Sequence, residues 1–267
     1  MYNNNKDMDS ISIPRPIINF YGAPSPNVVK VHLMFKELGI PFSYHELNIR
    51  RGEQYSPDFV RINPNGKLPA IVDYDVPGDE PISVFESGNI LLYLSTKYKR
   101  FMPSPSDDPR GHTEVLNWLF WQMSNLGPIF GNWYHFNVYA QEKHQYSIQR
   151  FYNELRRLFH VLNSTLATRT YIASNDEYTI ADMACYPWTR YIHITDLKED
   201  EFPHLFRWLA MVKSRPAVQE LEKMEEDQKT KPANPPSPTA ASEERKYISL
   251  YGRSSSSNQE TAVGASR

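Results

Sequence analysis

The stretch at residues 63–70, Asn-Pro-Asn-Gly-Lys-Leu-Pro-Ala, constrains the fold more than any other part of the chain. Its asparagines tolerate left-handed backbone, its first proline fixes φ and its glycine frees φ, so a tight turn is predicted. An apolar run at residues 68–72 follows at once. Pro69 has no N–H for a sheet ladder and therefore marks an edge or a bend, and the Leu68–Pro69 bond is a candidate cis peptide. An outward-facing peptide group at Leu68 would pair with an extended ligand as another strand does.

A second informative stretch is residues 85–94, Phe-Glu-Ser-Gly-Asn-Ile-Leu-Leu-Tyr-Leu, which predicts a polar turn that opens an apolar helix. Glu86 offers a carboxylate to an ammonium group. Ser87 offers a hydroxyl and a helix N-terminal N–H to a carboxylate. A peptide ligand that carries both charges at one end would fit this pair.

The patterns N-P-x-G-K-L-P-A-I-V-D at residues 63–73 and F-E-S-x-x-I-L-x-Y-L at residues 85–94 resemble the glutathione-binding half of a glutathione transferase. The resemblance extends from about residue 18 to about residue 225. It implies an α/β thioredoxin-like N-terminal domain followed by an all-α C-terminal domain, which together form the glutathione transferase fold. It also implies glutathione as co-substrate and a homodimer. No metal is expected, because the sequence contains no His, Cys and Asp constellation with metal-ligand spacing.

The order of predicted elements agrees with that fold. Apolar patterning and turn signals predict β-α-β-α-β-β-α over the first hundred residues, with the last helix at residues 87–98, and only helices from residue 111 onward. One long helix is predicted to break at Gly127-Pro128, and Thr179 is predicted to open a capping box before a helix at residues 183–191. The predicted division is a disordered arm (1–16), the thioredoxin-like domain (17–101), a linker (102–110), the helical domain (111–227) and a disordered tail (228–267).

Composition excludes several kinds of partner. Lys and Arg number 29 against 31 Asp and Glu, so the net charge of −2 favours neither nucleic acid nor an anionic membrane surface. No apolar run reaches the length of about 20 residues that spans a bilayer. The single cysteine, Cys185, excludes an internal disulfide framework and favours a reducing compartment, with apolar neighbours typical of a core thiol. A cytoplasmic location is expected.

Ser25-Pro26-Asn27 is the candidate catalytic segment, because it begins the first predicted helix. A thiol at a helix N-terminus is stabilised as its thiolate, and Ser25 Oγ and the Asn27 amide are each able to donate a hydrogen bond to such a sulfur. Taken alone, Ser before Pro is more typical of a simple helix cap. The segment is similar to the helix start of the nu-class disulfide-bond oxidoreductases and of the fungal nitrogen-regulator-like group. That resemblance implies Asn27 as the main sulfur contact, Ser25 as its assistant and Tyr21 as a distant third candidate.

The resemblance also assigns roles in ligand binding. It implies that the backbone of Leu68, beside Pro69, pairs with the cysteinyl backbone, that Glu86 binds the γ-glutamyl ammonium and that Ser87 binds the carboxylate of that residue. Three further residues are implied near the ligand's carboxylates: Gln54, Lys67 and, from the helical domain, Arg150. Without the resemblance, Gln54 and Lys67 read equally well as solvated surface residues. The aromatic segment that contains Tyr134, His135 and Phe136 is implied to form the second-substrate pocket.

Two reactions remain open at this point. The bound thiolate either attacks an electrophilic carbon and forms a thioether, or exchanges with a disulfide, and the Ser-Pro-Asn segment modestly favours disulfide exchange. The second substrate is therefore a small electrophile or a disulfide. Two further alternatives are a non-catalytic, glutathione-binding regulatory protein and a pathway-specific tailoring enzyme of secondary metabolism.

Overall fold

The computed structural model describes residues 17–230, and side chains up to residue 227, so the predicted arm (1–16) and the predicted tail beyond residue 230 lie outside the described residues. The strands are β1 (Ile18–Gly22), β2 (Ser43–Glu46), β3 (Ala70–Asp73) and β4 (Ile82–Phe85). The α-helices are α1 (Pro26–Leu38), α2 (Pro57–Ile62), α3 (Ser87–Tyr98), α4 (Pro109–Trp121), α5 (Gly127–Tyr134), α6 (Gln145–Leu166), α7 (Ile180–Thr189), α8 (Pro203–Lys213) and α9 (Pro216–Thr230). Short 3₁₀ turns lie at Ile49–Arg51, Glu53–Tyr55 and Arg190–Ile194, and π-helical turns at Gln122–Leu126 and His135–Tyr139.

The sheet has the strand order β2-β1-β3-β4, with β1 parallel to β2 and both β1–β3 and β3–β4 antiparallel. Ala70 pairs with Tyr21 on one side and with Phe85 on the other. This register brings the end of β1, the start of β3 and the end of β4 to the same end of the sheet. The first turn of α1, the 63–70 turn and the Glu86–Ser87 step therefore all meet there. The predicted fold class, thioredoxin-like followed by all-α, is confirmed.

Helix α1 is buried on both of its faces. Val28, Val31, Met34 and Phe35 form one apolar face, and Phe35 packs on Phe20 of β1. The opposite face is covered by α7 and α9 of the helical unit, the part of the chain from α4 to α9. Buried side chains of the α/β unit, β1 to α3, and of the helical unit consequently belong to one continuous core.

The predicted helix break at Gly127-Pro128 is wrong. The chain passes from α4 through the π turn at Gln122–Leu126 into α5 with helical backbone angles throughout. Proline has no N–H and its ring clashes with the carbonyl of an ordinary helical turn. The wider π turn, in which Gly127 N–H donates to Gln122 O five residues back, accommodates Pro128 at the start of α5.

The capping box predicted at Thr179 is present, with Asp182 Oδ2 accepting from Thr179 N at 3.0 Å. The helix that it opens begins at Ile180, because the cap determines the first turn, and it ends at Thr189 before a 3₁₀ turn. Helix α9 ends at Thr230, three residues beyond the predicted helical domain (111–227). Within residues 17–230 no helix is both long and apolar enough to cross a membrane.

Candidate active site

Ser25 caps helix α1. Its backbone is extended (φ −163°, ψ 153°), its Oγ accepts a hydrogen bond from Val28 N at 3.3 Å, and Pro26 occupies the first helical position. A hydroxyl has one donor hydrogen in addition to its acceptor lone pairs, so the cap leaves the O–H of Ser25 able to donate elsewhere. The unpaired N–H groups and positive end of the helix dipole favour an anion at this point.

The side chain of Asn27 has a defined orientation. Trp188 Nε1, on α7, donates to Asn27 Oδ1 at 2.9 Å. An indole N–H only donates, so the amide oxygen must face Trp188 and both amide hydrogens remain for another acceptor. The helical unit thereby orients a donor group beside Ser25 at the start of α1.

The 63–70 turn is held by the side chain of Asn63, which is almost fully buried. Its Nδ2 donates to Lys67 O at 2.6 Å, and its Oδ1 accepts from Asn65 N at 3.0 Å. Gly66 has φ +59°, and a Cβ there would lie 2.8 Å from the Tyr55 ring, so both conformation and space require glycine. The Leu68–Pro69 bond is cis.

Glu86 and Ser87 join β4 to α3. Glu86 has φ +68° and ψ 120°, a conformation that costs a non-glycine residue roughly 1–3 kcal/mol, and its side chain is exposed. Strain of this kind persists where surrounding structure imposes it, and here β4 ends one residue before Glu86 and α3 begins one residue after. Ser87 is buried, and its Oγ lies 3.3 Å from Lys30 Nζ and 3.5 Å from Met123 Sδ.

A cavity of about 680 Å³ adjoins the start of α1 and lies between the α/β unit and the helical unit. Its walls on the α/β side include Pro24, Ser25, Pro26, His32 and Tyr44, and those on the helical side include Phe130, Tyr134, Tyr139, Trp188, Tyr191 and Leu221. Burial lowers the pKa of His32 to about 4, so its ring is neutral at neutral pH. The cavity is therefore a largely aromatic space beside Ser25, with two acidic side chains, Glu46 and Glu225, also in its lining.

Comparison with protein families agrees with this geometry. Residues 24–97 match the model of the glutathione S-transferase N-terminal domain, and residues 126–216 match that of the C-terminal domain. The disulfide-bond oxidoreductase YfcG of Escherichia coli is 39% identical over 203 residues, which cover 76% of this chain and 93% of that protein. The chain belongs to the glutathione S-transferase family.

Other relatives of this glutathione transferase differ in their described roles. A crystal structure of a family member from Pseudomonas fluorescens, with two glutathione molecules bound, is 38% identical with a TM-score of 0.70 and covers 76% of this chain and 91% of its own. The transcriptional regulator URE2 of Saccharomyces cerevisiae is 31% identical, and the match covers 73% of this chain and 64% of that protein. The family and the nearest groups predicted from the sequence are confirmed.

The remaining predicted site residues of this glutathione transferase lie at varied distances from the cavity. Gln54 is buried, donates weakly to Ile49 O (3.4 Å), and its Oε1 has no hydrogen-bond partner among the described residues, whereas Lys67 is exposed. Arg150 lies on the exposed face of α6, where its guanidinium is 4.0 Å from Glu154. Its predicted contact with glutathione stays a prediction.

Of the three aromatic residues predicted for the second-substrate pocket, only Tyr134 lines the cavity. Successive helical residues point in different directions, so His135 is exposed and Phe136 stacks on Phe151 of α6, with ring centres 5.6 Å apart. Tyr21, the third catalytic candidate, stacks on His45 in the sheet. Of the three catalytic candidates, Ser25 lines the cavity, whereas Asn27 and Tyr21 do not.

Three polar residues near the site have no recognisable signal in the sequence: Lys30, Gln122 and Trp188. Contacts between the α/β unit and the helical unit bring each of these residues to the site, and the local sequence does not predict such contacts. Cys185 is fully buried, and burial raises the pKa of its thiol well above the usual range. Among the described residues no group of three or more His, Cys, Asp or Glu side chains is placed to hold a metal ion.

Proposed function

We propose that this glutathione transferase binds glutathione with its sulfur at the start of α1 and uses the thiolate for thiol–disulfide exchange. The observation that carries the proposal is the Trp188–Asn27 hydrogen bond, which turns both amide hydrogens of Asn27 away from the indole. Ser25 caps the same helix two residues earlier. Two neutral donors and a helix N-terminus stabilise a thiolate without a positive side chain. The protein's own thiol is buried and takes no part, so glutathione supplies the sulfur.

The rest of glutathione extends along the end of the sheet in this proposal. The backbone of Leu68 pairs with the cysteinyl residue beside Pro69, the exposed carboxylate of Glu86 binds the γ-glutamyl ammonium, and Ser87 binds the γ-glutamyl carboxylate. The strand register supports this arrangement, because Ala70 pairs with Phe85 and so aligns the two segments. Further contacts to carboxylates are assigned to three residues: Gln54, Lys67 and Arg150.

The exchange reaction needs no group beyond the two sulfur compounds. The thiolate attacks one sulfur of a glutathione disulfide or small mixed disulfide, a new S–S bond forms as the old one breaks, and the departing thiolate takes a proton from solvent. The disulfide-bond oxidoreductase relative and the family member with two bound glutathione molecules favour this reaction. The aromatic cavity favours conjugation to an apolar electrophile as the second candidate. Both reactions use the same thiolate.

One pair of assays tests the proposal. The purified protein is given glutathione with either the mixed disulfide of glutathione and hydroxyethanethiol or an aryl halide, and Asn27→Ala is compared with the exposed control Asn153→Ala on α6. Disulfide reduction that is lost in Asn27→Ala and kept in Asn153→Ala supports the proposal. A preference for the aryl halide supports conjugation. Glutathione binding with neither activity supports the regulatory alternative, which the similarity to URE2 favours.

We also propose a homodimer and a cytoplasmic location. Phe120 on α4 is 63% exposed, and the edge strand β4 exposes Ile82 and Phe85. Apolar side chains in such positions are typical of an interface, which light scattering of the purified protein tests by molar mass. The free thiol of Cys185 suits a reducing compartment, and imaging of a fluorescent fusion tests the location.

A further inference from the structure

A lysine lies buried at the contact between the two units. Lys30, in the middle of α1, is 1% exposed. Its Nζ lies 2.6 Å from Gln122 Oε1 on the π turn, 3.3 Å from Ser87 Oγ at the start of α3 and 3.8 Å from Met123 Sδ. None of the ion pairs among the side chains of residues 17–227 includes Lys30. The ammonium is thus held by neutral acceptors alone.

The chemistry of an ammonium group determines the role of Ser87. An ammonium has three donors and no acceptor, so in the contact with Lys30 the Ser87 oxygen must accept. The hydroxyl hydrogen of Ser87 is then directed to a different partner. Among the side chains of residues 17–227, the other contact of this hydroxyl is Met123 Sδ at 3.5 Å, and a thioether is a weak acceptor. Ser87 is therefore prepared to donate to a stronger acceptor, such as a carboxylate.

The helical unit holds this arrangement in place. Gln122 belongs to the π turn, and its buried Nε2 has no hydrogen-bond partner within the described part of the chain, while its Oε1 makes the short contact with Lys30. Gly88 allows α3 to approach the helical unit closely, since a Cβ at Gly88 would lie 2.9 Å from Met123 Cγ. π-helical turns are frequent at functional sites. The lysine, the serine and the π turn are consequently one packed cluster.

Burying a cation without an anionic partner costs free energy of desolvation. An anion that binds nearby is attracted to the cation, and this attraction offsets part of that cost. Burial lowers the pKa of Lys30 to about 7, and the weaker influences of Cys185 and Glu86 oppose that shift. A carboxylate bound at the Ser87 hydroxyl would add a negative charge one side chain away from the ammonium. The free protein therefore contains a site whose charge is completed by a ligand carboxylate.

We propose that Lys30 is a positioning residue for the γ-glutamyl carboxylate of glutathione: it holds Ser87 as a hydrogen-bond donor and provides the positive charge behind it. This inference rests on the proposed function, because it takes glutathione as the ligand. It adds that the recognition of one particular carboxylate depends on a residue that does not touch the ligand. Gln122 links that recognition to the helical unit.

Calorimetric titration at about pH 6, where the Lys30 ammonium is charged before the ligand binds, with three thiol-blocked probes tests the inference. The probes are S-methylglutathione, its analogue with the γ-glutamyl carboxylate converted to an amide, and its analogue with the glycyl carboxylate converted to an amide. Lys30→Met removes the charge and keeps an unbranched side chain one atom shorter, and Lys36→Met is the matched control on the same helix, where Lys36 pairs with Glu220.

Lys30→Met is expected to weaken S-methylglutathione and the glycyl amide by about tenfold or more, as for loss of a hydrogen bond to a charged group. The affinity for the γ-glutamyl amide is expected to stay almost unchanged, because that probe lacks the carboxylate whose negative charge Lys30 attracts. In a protein that already carries Ser87→Ala, Lys30→Met is expected to reduce the affinity for S-methylglutathione much less than it does in the wild-type protein. Lys36→Met is expected to change none of the three affinities.

Equal weakening of all three probes by Lys30→Met would show a merely structural role and overturn the inference alone, as would full retention of binding. Failure of the wild-type protein to bind S-methylglutathione would overturn the proposed function together with the inference. Should the methionine variant fold poorly by circular dichroism, Lys30→Gln, which is polar but uncharged, gives the same comparison.

Discussion

Replacing Asn27 with aspartate separates two roles that this residue is able to fill. The substitution is isosteric, so an oxygen still accepts the hydrogen bond that Trp188 Nε1 donates at 2.9 Å. The amide NH₂ becomes a second carboxylate oxygen. If Asn27 donates to the sulfur of glutathione, Asn27→Asp removes the donors and adds a like charge. If Asn27 serves only to hold Trp188, Asn27→Asp keeps that function.

The expected magnitudes follow from the geometry of the site. A hydrogen bond to a charged acceptor contributes about 1.5–3 kcal/mol, so Asn27→Ala should raise the pKa of the bound thiol by roughly one to two units. In Asn27→Asp a carboxylate about 4 Å from the thiolate adds a repulsion of about 4 kcal/mol at an effective dielectric of about 20, or roughly three units more. Trp188→Phe removes the hydrogen bond that orients the amide, so the amide is free to adopt either of two orientations. At least half of the molecules then keep the donors toward the sulfur, and the pKa of the bound thiol rises by about 0.3 units.

The assay is a pH titration of the ultraviolet thiolate absorption of glutathione bound to each variant. The pKa of the thiol should increase in the order wild type, Trp188→Phe, Asn27→Ala, Asn27→Asp, and disulfide reduction at neutral pH should fall in the same order. Asn153→Asp on α6 controls for the added charge. The reasoning is refuted if Asn27→Asp keeps the wild-type thiol pKa and activity while Asn27→Ala loses both.

Three further predictions concern backbone and charge. Gly66→Ala should lower the free energy of unfolding by about 2 kcal/mol in urea titrations, because φ is +59° and the new Cβ would meet the Tyr55 ring at 2.8 Å; an unchanged midpoint would contradict this. Gly88→Ala should gain up to about 1 kcal/mol in free energy of unfolding from helix propensity and lose about 1–3 kcal/mol because the new Cβ crowds Met123. We therefore expect a net loss of stability in urea titrations, and we expect Met123→Ala to relieve it. In the ligand-free folded protein the pKa of Lys30 is about 7, whereas the unfolded chain keeps this proton to a pKa of 10.5. Between about pH 7 and pH 9 the unfolded chain therefore binds more protons, so the stability of the ligand-free protein should rise with pH by up to about 1.4 kcal/mol per unit; identical pH profiles of wild type and Lys30→Met would exclude this.

The parts of the site that the sequence predicts are those built from consecutive residues. The turn around Gly66 and the step from Glu86 into α3 are local, because glycine, proline and capping chemistry act over a few positions. Lys30 had no such signal: it lies opposite the face of α1 that packs on the sheet, where a lysine is usually solvated. Only the packing of the helical unit over that face, with Gln122 placed by a π turn, buries it.

Both ends of the ligand site depend on the helical unit, although the recognisable patterns lie almost wholly in the α/β unit. At the end assigned to the sulfur, Trp188 orients the Asn27 amide through one hydrogen bond. At the end assigned to the γ-glutamyl carboxylate, Gln122 holds Lys30, which in turn makes Ser87 a donor. Each contact sets the direction of a donor group, and direction determines whether a donor meets its acceptor at a productive angle. Two relatives with the same 63–70 turn and the same Glu-Ser step are therefore able to differ in affinity and reactivity through these helical contacts alone.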